Sequence, residues 1–208
     1  MKKLAILGAS GHGKVVADTA ECCGWQVVEF FDDAWPQTTS IGSWPVVGNT
    51  HVLLSRISEF DGVLVAIGNN SVRRSKLEQV QASGAHIPVL IHPSAIVSRH
   101  AKVGAGTVVF ASAVVNADAK IGEGAILNTG CSVDHDCVLG AYVHISPGAR
   151  LAGAVSVGDG TWIGIGACVR QVVCIGRNVM VGAGAAVVCN ISDNMIVAGV
   201  PARVLVRS

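Results

Sequence analysis

The stretch Val133-Asp134-His135-Asp136-Cys137 puts one imidazole between two carboxylates, and Asn128 lies just ahead of it. A carboxylate partner orients a histidine ring and stabilises the imidazolium that forms when the ring takes a proton, so the pattern is that of a general base. His144 follows nine residues later, and Gly153 stands eighteen residues after His135. A glycine near a reacting centre leaves its backbone N–H accessible, which suits a developing oxyanion. The plain alternative is a set of turn residues with incidental histidines. Zinc is the weaker alternative, because no H-x-x-x-x-H pair occurs. No metal is expected.

A second constellation lies near the amino terminus. Lys3–Leu7 reads as a buried strand that runs into Gly8-Ala9-Ser10-Gly11-His12-Gly13, followed by a helix expected over Lys14–Cys23. A glycine-rich turn at a helix amino terminus offers free backbone N–H groups and the positive end of the helix dipole, an arrangement that binds phosphate. The order is G-x-x-G-x-G, not the dinucleotide G-x-G-x-x-G. Asp32-Asp33 close a second strand (Gln26–Phe31), and Gly68-Asn69-Asn70 follow a third (Val63–Ile67), with Arg73 in the next helix (Ser71–Ser83). Open α/β sheets bind ligands at such strand carboxyl ends. Ser10, Gly11 and His12 are expected to hold a diphosphate, and Asp32, Asp33, Gly68, Asn69 and Asn70 to line the rest. A segment of about 90 residues suits a mononucleotide carrier better than NAD. Otherwise the glycines serve packing alone and the aspartates are a solvated turn.

The chain divides in two. Strands alternating with helices over residues 1–90 imply a small Rossmann-like parallel sheet. From Ile91 a six-residue period takes over. Seventeen consecutive positions, from Ile91 and Val97 to Val181 and Val187, are Ile, Leu or Val. Four residues after each comes a mostly small residue, such as Ala95, Ala113, Cys131 or Cys137. Three hexads close one triangular coil, so residues 91–208 are expected to form a left-handed parallel β-helix of about five coils. The glycines that follow the aliphatic position (Gly104, Gly122, Gly140 and their like) are expected to supply turn dihedrals. Apolar residues off the inward positions (Val108, Phe110, Val114, Ile126) suggest flat faces that meet a partner.

Of the 208 residues, 50% are hydrophobic and 14% charged, with a formal net charge of +1. That balance offers no broad basic field for nucleic acid. Seven cysteines without a C-x-x-C pair give neither a disulfide framework nor a zinc site, and read as small buried residues in a reducing compartment. The first apolar run stops at Gly8, short of a signal peptide, and no stretch reaches the length of a membrane span. The chain therefore reads as soluble and cytoplasmic.

Taken together, these segments resemble the hexapeptide-repeat sugar acetyltransferases that join a small amino-terminal domain to a β-helix. They are most similar to those that N-acetylate UDP-4-amino-4,6-dideoxy sugars for bacillosamine glycans. Matching stretches include Gly8–Gly13, Asp32-Asp33, Ala66–Asn70, Ile91-His92-Pro93-Ser94-Ala95, Asn128-Thr129-Gly130, Asp134–Cys137, His144–Ala149 and Gly199-Val200-Pro201-Ala202-Arg203. The resemblance implies acetyl-CoA as co-substrate, a UDP-amino-sugar as acceptor and a homotrimer with active sites between neighbouring prisms. It also implies that His135 deprotonates the C4 amine with Asp136 as its orienting carboxylate. His144 and Gly153 then contact the thioester carbonyl, and Ile165 and Ala183 line the CoA groove. Ala34-Trp35 stand where the family carries a basic residue after the paired aspartates. GDP-perosamine N-acetyltransferases and sialic-acid O-acetyltransferases share much of the pattern, so the acceptor stays open at this point.

Overall fold

The computed structural model describes residues 1–205 and falls into two compact units, Met1–Pro93 and the chain from Ser94 onward. In the first unit the elements run β1 (Lys3–Leu7), α1 (Gly11–Cys22), β2 (Val27–Phe31), β3 (Ser40–Ile41) and β4 (Trp44–Gly48). They continue with α2 (Thr50–Ser55), β5 (Gly62–Val65) and α3 (Asn70–Ala82). The sheet order is β3-β4-β2-β1-β5, parallel throughout except for β3, which pairs antiparallel with β4. Leu4 to Leu7 are all buried, as expected of a central parallel strand covered on both faces.

Helix α1 begins at Gly11, not Lys14: the glycine turn forms the first helical turn itself. Two glycines make this possible. Gly8 has φ +114°, and a Cβ on Gly13 would collide with the Gly8 carbonyl and the Phe30 ring. Helix α3 starts at Asn70 because Asn69 caps it, accepting from the Ser71 and Val72 N–H groups. The hairpin of β3 and β4 and the helix α2 have no counterpart in the sequence reading. Their residues carry neither a clean alternation nor a helical stripe.

The second unit is a triangular prism. One face stacks Ile96–Val97, Val114–Val115, Ser132–Val133, Arg150–Leu151, Cys168–Val169 and Ala186–Val187. The second face stacks Lys102–Val103, Lys120–Ile121, Val138–Leu139, Ser156–Val157 and Cys174–Ile175. The third runs from Val108–Val109 through Ile126–Leu127, His144–Ile145, Trp162–Ile163 and Met180–Val181 to Ile196–Ala198. All these pairings are parallel with an 18-residue offset, as in Val115↔Val133, until Met180↔Ile196 shortens it to 16. Arg203–Val204 then pairs antiparallel with the last strand. This is the left-handed β-helix that the hexad spacing implied. Its inward aliphatics and the small residues beside them, Ala113, Ala125, Cys131 and Cys137 among them, form one continuous buried core.

Three expectations are corrected. Gly104, Gly122 and Gly140 do not adopt left-handed dihedrals; a Cβ on Gly122 would lie 2.5 Å from the Gly140 carbonyl carbon and oxygen. Glycine is required there by the close approach of stacked rungs. The left-handed positions lie two residues further on, at Gly106, Gly124 and Tyr142 in the same corner. Secondly, Val108, Phe110 and Ile126 are already buried in the protomer and do not form an open flat. Val108 and Ile126 belong to an outward ladder with His144 and Trp162, in which stacked neighbours shield one another. Thirdly, only Cys131 and Cys137 are buried; the other five cysteines are exposed. Cys168 and Cys174 occupy the outward position of their strands, which the hexad places at the surface.

Candidate active site

His135 sits at the corner where the first face turns into the second. The corner forms a column of stacked positions. Asp136 N–H donates to the Ala117 carbonyl (3.1 Å), Ala154 N–H to that of His135 (2.9 Å) and Val172 N–H to that of Gly153 (3.0 Å). Because the rungs satisfy each other's backbone, the His135 and Asp136 side chains are left to solvent, 66% and 61% exposed. His135 Nδ1–H donates to Asp136 Oδ2 at 2.7 Å, which fixes the tautomer and leaves the Nε2 lone pair open. The Asp136 hydrogen bond, supported by the charges of Asp136 and Asp134, raises the His135 pKa above its ordinary value. Asp136 holds φ +61°, the left-handed setting of this corner, which turns its carboxylate back beside the ring. Asp134 instead accepts from Asn116 Nδ2 one rung below.

Gly153 lies directly above His135. An ideal Cβ there would be 2.6 Å from both Cε1 and Nε2 of the imidazole, so the ring covers the glycine. Among the described residues, nothing accepts from the Gly153 N–H.

His144 is elsewhere on the prism, half a coil away on the third face, and it is buried. Its ring stacks on Trp162 at 4.5 Å between centroids, and Nε2 lies 3.2 Å from Asn128 Nδ2. Trp162 Nε1–H donates to Ser146 Oγ at 2.7 Å. Ile165 and Ala183 occupy successive levels of the corner between the third and first faces, both exposed, with Gly184 N–H donating to the Ile165 carbonyl. One protomer thus assembles three groups: His135 with Asp136 and Gly153, Asn128 with His144, and Ile165 with Ala183. The second and third groups share the third face and the corner that follows it, and His135 lies at a different corner. Ser146 and Trp162 escaped the sequence reading, although the 18-residue spacing from Asn128 and His144 marks both.

In the amino-terminal unit, a cleft of about 290 Å³ opens at the carboxyl ends of β1, β2 and β5, lined by Gly8, Ser10, Asp32, Asp33, Gly68 and Lys76 among others. The Ser10 side chain caps nothing, so its hydroxyl is available. Asp33 accepts from Lys76 Nζ (2.7 Å) and the Thr50 N–H (3.0 Å), and that pairing, the Lys76 bond foremost, lowers its pKa to about 2. Lys76, one turn beyond Arg73, is a cation of the cleft that the sequence reading passed over.

Several expected ligand groups also bond within the scaffold, Asp32 among them although it lines the cleft. Asp32 accepts from the Ala9 N–H (2.7 Å) and the Ala34 N–H (2.9 Å). Asn69 caps α3, and Asn70 Oδ1 accepts from Arg73 Nη2 at 2.9 Å. Arg73 is buried and donates to the Ile67 and Gly68 carbonyls at 3.0 and 3.1 Å. Burial first, then the charge of Arg73, lowers the His12 pKa to about 4. His12 is therefore neutral at pH 7 and supplies no positive charge to a phosphate.

A left-handed prism with an oriented imidazole at its corner, preceded by an α/β unit with a phosphate-type turn, defines a transferase of the hexapeptide-repeat class. Two family models match: the PglD N-terminal domain over residues 3–80, and the bacterial transferase hexapeptide (six repeats) over residues 118–153. The acetyltransferase domain of PglB from Neisseria gonorrhoeae FA1090, in complex with acetyl coenzyme A, is 48% identical. That match covers 98% of this chain and 99% of that one, with a TM-score of 0.94. A mutant of perosamine N-acetyltransferase from Caulobacter crescentus, in complex with CoA and GDP-perosamine, is 38% identical. It aligns over 100% of this chain and 98% of its own, with a TM-score of 0.96. UDP-N-acetylbacillosamine N-acetyltransferase of Bacillus subtilis (strain 168) is 41% identical over 115 residues, about half of each chain (53% of this one, 52% of that one). The chain belongs to the hexapeptide-repeat sugar N-acetyltransferase family.

Proposed function

We propose that the chain transfers the acetyl group of acetyl-CoA to the C4 amine of a UDP-linked 4-amino-4,6-dideoxy sugar of the UDP-N-acetylbacillosamine type. The observation that carries this reading is the exposed His135–Asp136 pair, whose Nε2 is open beside an unused Gly153 N–H. The amine nitrogen attacks the thioester carbonyl carbon, and His135 Nε2 takes a proton from the nitrogen as the C–N bond forms. The Gly153 N–H donates to the oxyanion of the tetrahedral intermediate. When the intermediate collapses, the C–S bond breaks and His135 returns its proton to the departing CoA thiolate. No acetyl-enzyme is required, because a primary amine is itself a good nucleophile.

The working unit in this reading is a homotrimer. Within one prism His135 is half a coil from His144 and a whole face away from the corner that carries Ile165 and Ala183, and packing prisms side by side closes that separation. His144, held by Asn128 and by a Trp162 ring that is itself bonded to Ser146, then contacts the acetyl thioester, and Ile165 and Ala183 line the CoA groove. The cleft of the amino-terminal unit takes the nucleotide. Ser10, Gly11, Gly68 and Asp33 face the ligand, with His12 as a neutral donor, while Asp32, Asn69 and Asn70 hold the loops in shape. Among the described residues no helix is long and apolar enough to cross a membrane.

The perosamine relative, aligned along the whole chain, favours a second acceptor, GDP-perosamine. One assay separates the two: CoA release from acetyl-CoA with UDP- and GDP-linked 4-amino sugars, the products identified by mass. Turnover with the UDP sugar supports the first acceptor and turnover with GDP-perosamine alone replaces it. No thiol release with any amino sugar sinks the reading.

A further inference from the structure

We infer that Gly153 is a positioning residue for the imidazole: its missing side chain is the seat on which the His135 ring rests. This rests on the reading of His135 as the base and adds a role distinct from the Gly153 N–H. Backbone geometry does not ask for glycine at this position. Gly153 does not adopt a left-handed φ, and the stacked positions of the same column are Ala117, His135 and Gln171, all of which carry side chains. The ring does ask for it. The Cβ of any other residue would stand 2.6 Å from Cε1 and Nε2 and 3.2 Å from Nδ1. Those distances to three ring atoms describe an imidazole lying over the α-carbon, not grazing it with an edge.

The consequence is a clamp with two parts. Asp136 holds the ring by its Nδ1 edge at 2.7 Å, and the flat surface above Gly153 supports the ring from the neighbouring rung. A side chain at 153 lifts the ring from that surface, and the 2.7 Å bond cannot survive such a displacement unchanged. A His135 side chain 66% exposed to solvent has many rotamers available, so the two contacts together select the one that presents Nε2.

Gly153→Ala tests this cleanly, because alanine keeps the backbone N–H and removes only the seat. The expected result is a fall in kcat of about 10²-fold, the size expected for a catalytic group misplaced by roughly 1 Å. KM for acetyl-CoA should stay nearly constant. In a His135→Ala background the same substitution should cost nothing more. Independently of any substrate, NMR titration of the His135 ring in the full chain should show its raised pKa falling back toward the ordinary histidine value in Gly153→Ala. An unchanged ring pKa, or a loss that multiplies with that of His135→Ala, overturns the seat. If Gly153→Ala fails to fold, the wild-type chain still decides: a nuclear Overhauser contact between the His135 ring and the Gly153 α-protons is expected, and its absence overturns the proposal. The NMR arms need no acceptor. A chain that acetylates no sugar while its ring pKa still responds to Gly153→Ala refutes the proposed function and leaves the seat standing.

Discussion

The strand-end loops of the α/β unit and the His135 corner of the prism treat polar side chains in opposite ways. In the α/β unit, the loops at the strand ends carry amides and carbonyls that the sheet does not satisfy, and side chains are used to satisfy them. Asp32 serves the Ala9 and Ala34 amides, Asn69 the start of α3, and Arg73 the Ile67 and Gly68 carbonyls. At the His135 corner of the prism, the Asp136, Ala154 and Val172 amides each bond to a carbonyl of the preceding rung. Elsewhere in the prism Asp159 and Asp193 do serve the Ala141 and Arg177 amides, but at this corner His135 and Asp136 bond each other and not the backbone, which leaves them free for chemistry. The difference teaches that a polar residue's meaning depends on whether its surroundings already satisfy their own hydrogen bonds.

The largest effect expected is on turnover. His135→Ala should lower kcat by about 10²- to 10⁴-fold, the usual range for a general base, with the thermal midpoint unchanged because the side chain supports nothing. Steady-state kinetics and a melting curve on one preparation check both halves. A melting point that drops with the activity would make His135 a scaffold residue and erase the contrast between the units.

Arg73 is the counterpart in the other unit. Arg73→Leu removes the buried guanidinium that the half-buried Ile67 and Gly68 carbonyls and the Asn70 amide oxygen accept from. It should destabilise the amino-terminal unit by roughly 3–5 kcal/mol. Denaturant unfolding should show the loss in the transition of that unit alone. If the loss appears in the prism's transition, or if stability holds while only nucleotide binding fails, Arg73 is a ligand residue and not scaffold.

This asymmetry explains what could be read from the chain. The hexad repeat made the prism and its corner legible, since a translationally repeated rung converts sequence spacing directly into position: eighteen residues from His135 is Gly153, stacked above it. Ser146 and Trp162 obeyed the same rule and were missed only because their types carry no catalytic signature. The amino-terminal site was legible as a place but not residue by residue. Asp32 and Asp33 are adjacent, chemically identical and both line the cleft, yet one clamps the glycine-rich turn and the other pairs with Lys76. Nothing local distinguishes them, because their roles are set by Ala9 and Lys76, which are distant in sequence. Val108 and Ile126 mislead for a related reason: outward in the hexad does not mean exposed once a ladder of large neighbours shields it.

His12 gives the α/β unit a pH dependence that the prism corner should not share. The folded chain keeps His12 neutral down to about pH 4, whereas the unfolded chain binds that proton near pH 6.5. Between those values the unfolded state holds more protons, so stability is present above the higher value and is lost as pH falls toward the lower one. The loss should reach about 3 kcal/mol by pH 4. Unfolding free energies measured from pH 7 to pH 4 should fall in the wild type and fall less in His12→Gln. Equal slopes would remove His12 as the cause.

The smallest effect tests the pair itself. Asn tolerates the left-handed φ that Asp136 adopts, so Asp136→Asn removes the charge without disturbing the corner. The carboxylate raises the His135 pKa, and a base works only when unprotonated, so activity in the wild type should fall as pH drops through a value above the ordinary 6.5 of histidine. In Asp136→Asn that acidic limb should move to lower pH. The plateau at high pH should drop by about tenfold, because a less basic and less firmly oriented imidazole takes the amine proton less readily. A lower plateau with the limb in its original place would mean that Asp136 orients the ring without tuning it. An unshifted profile at full activity would leave His135 working alone, and the corner would then owe nothing to the carboxylate beside it.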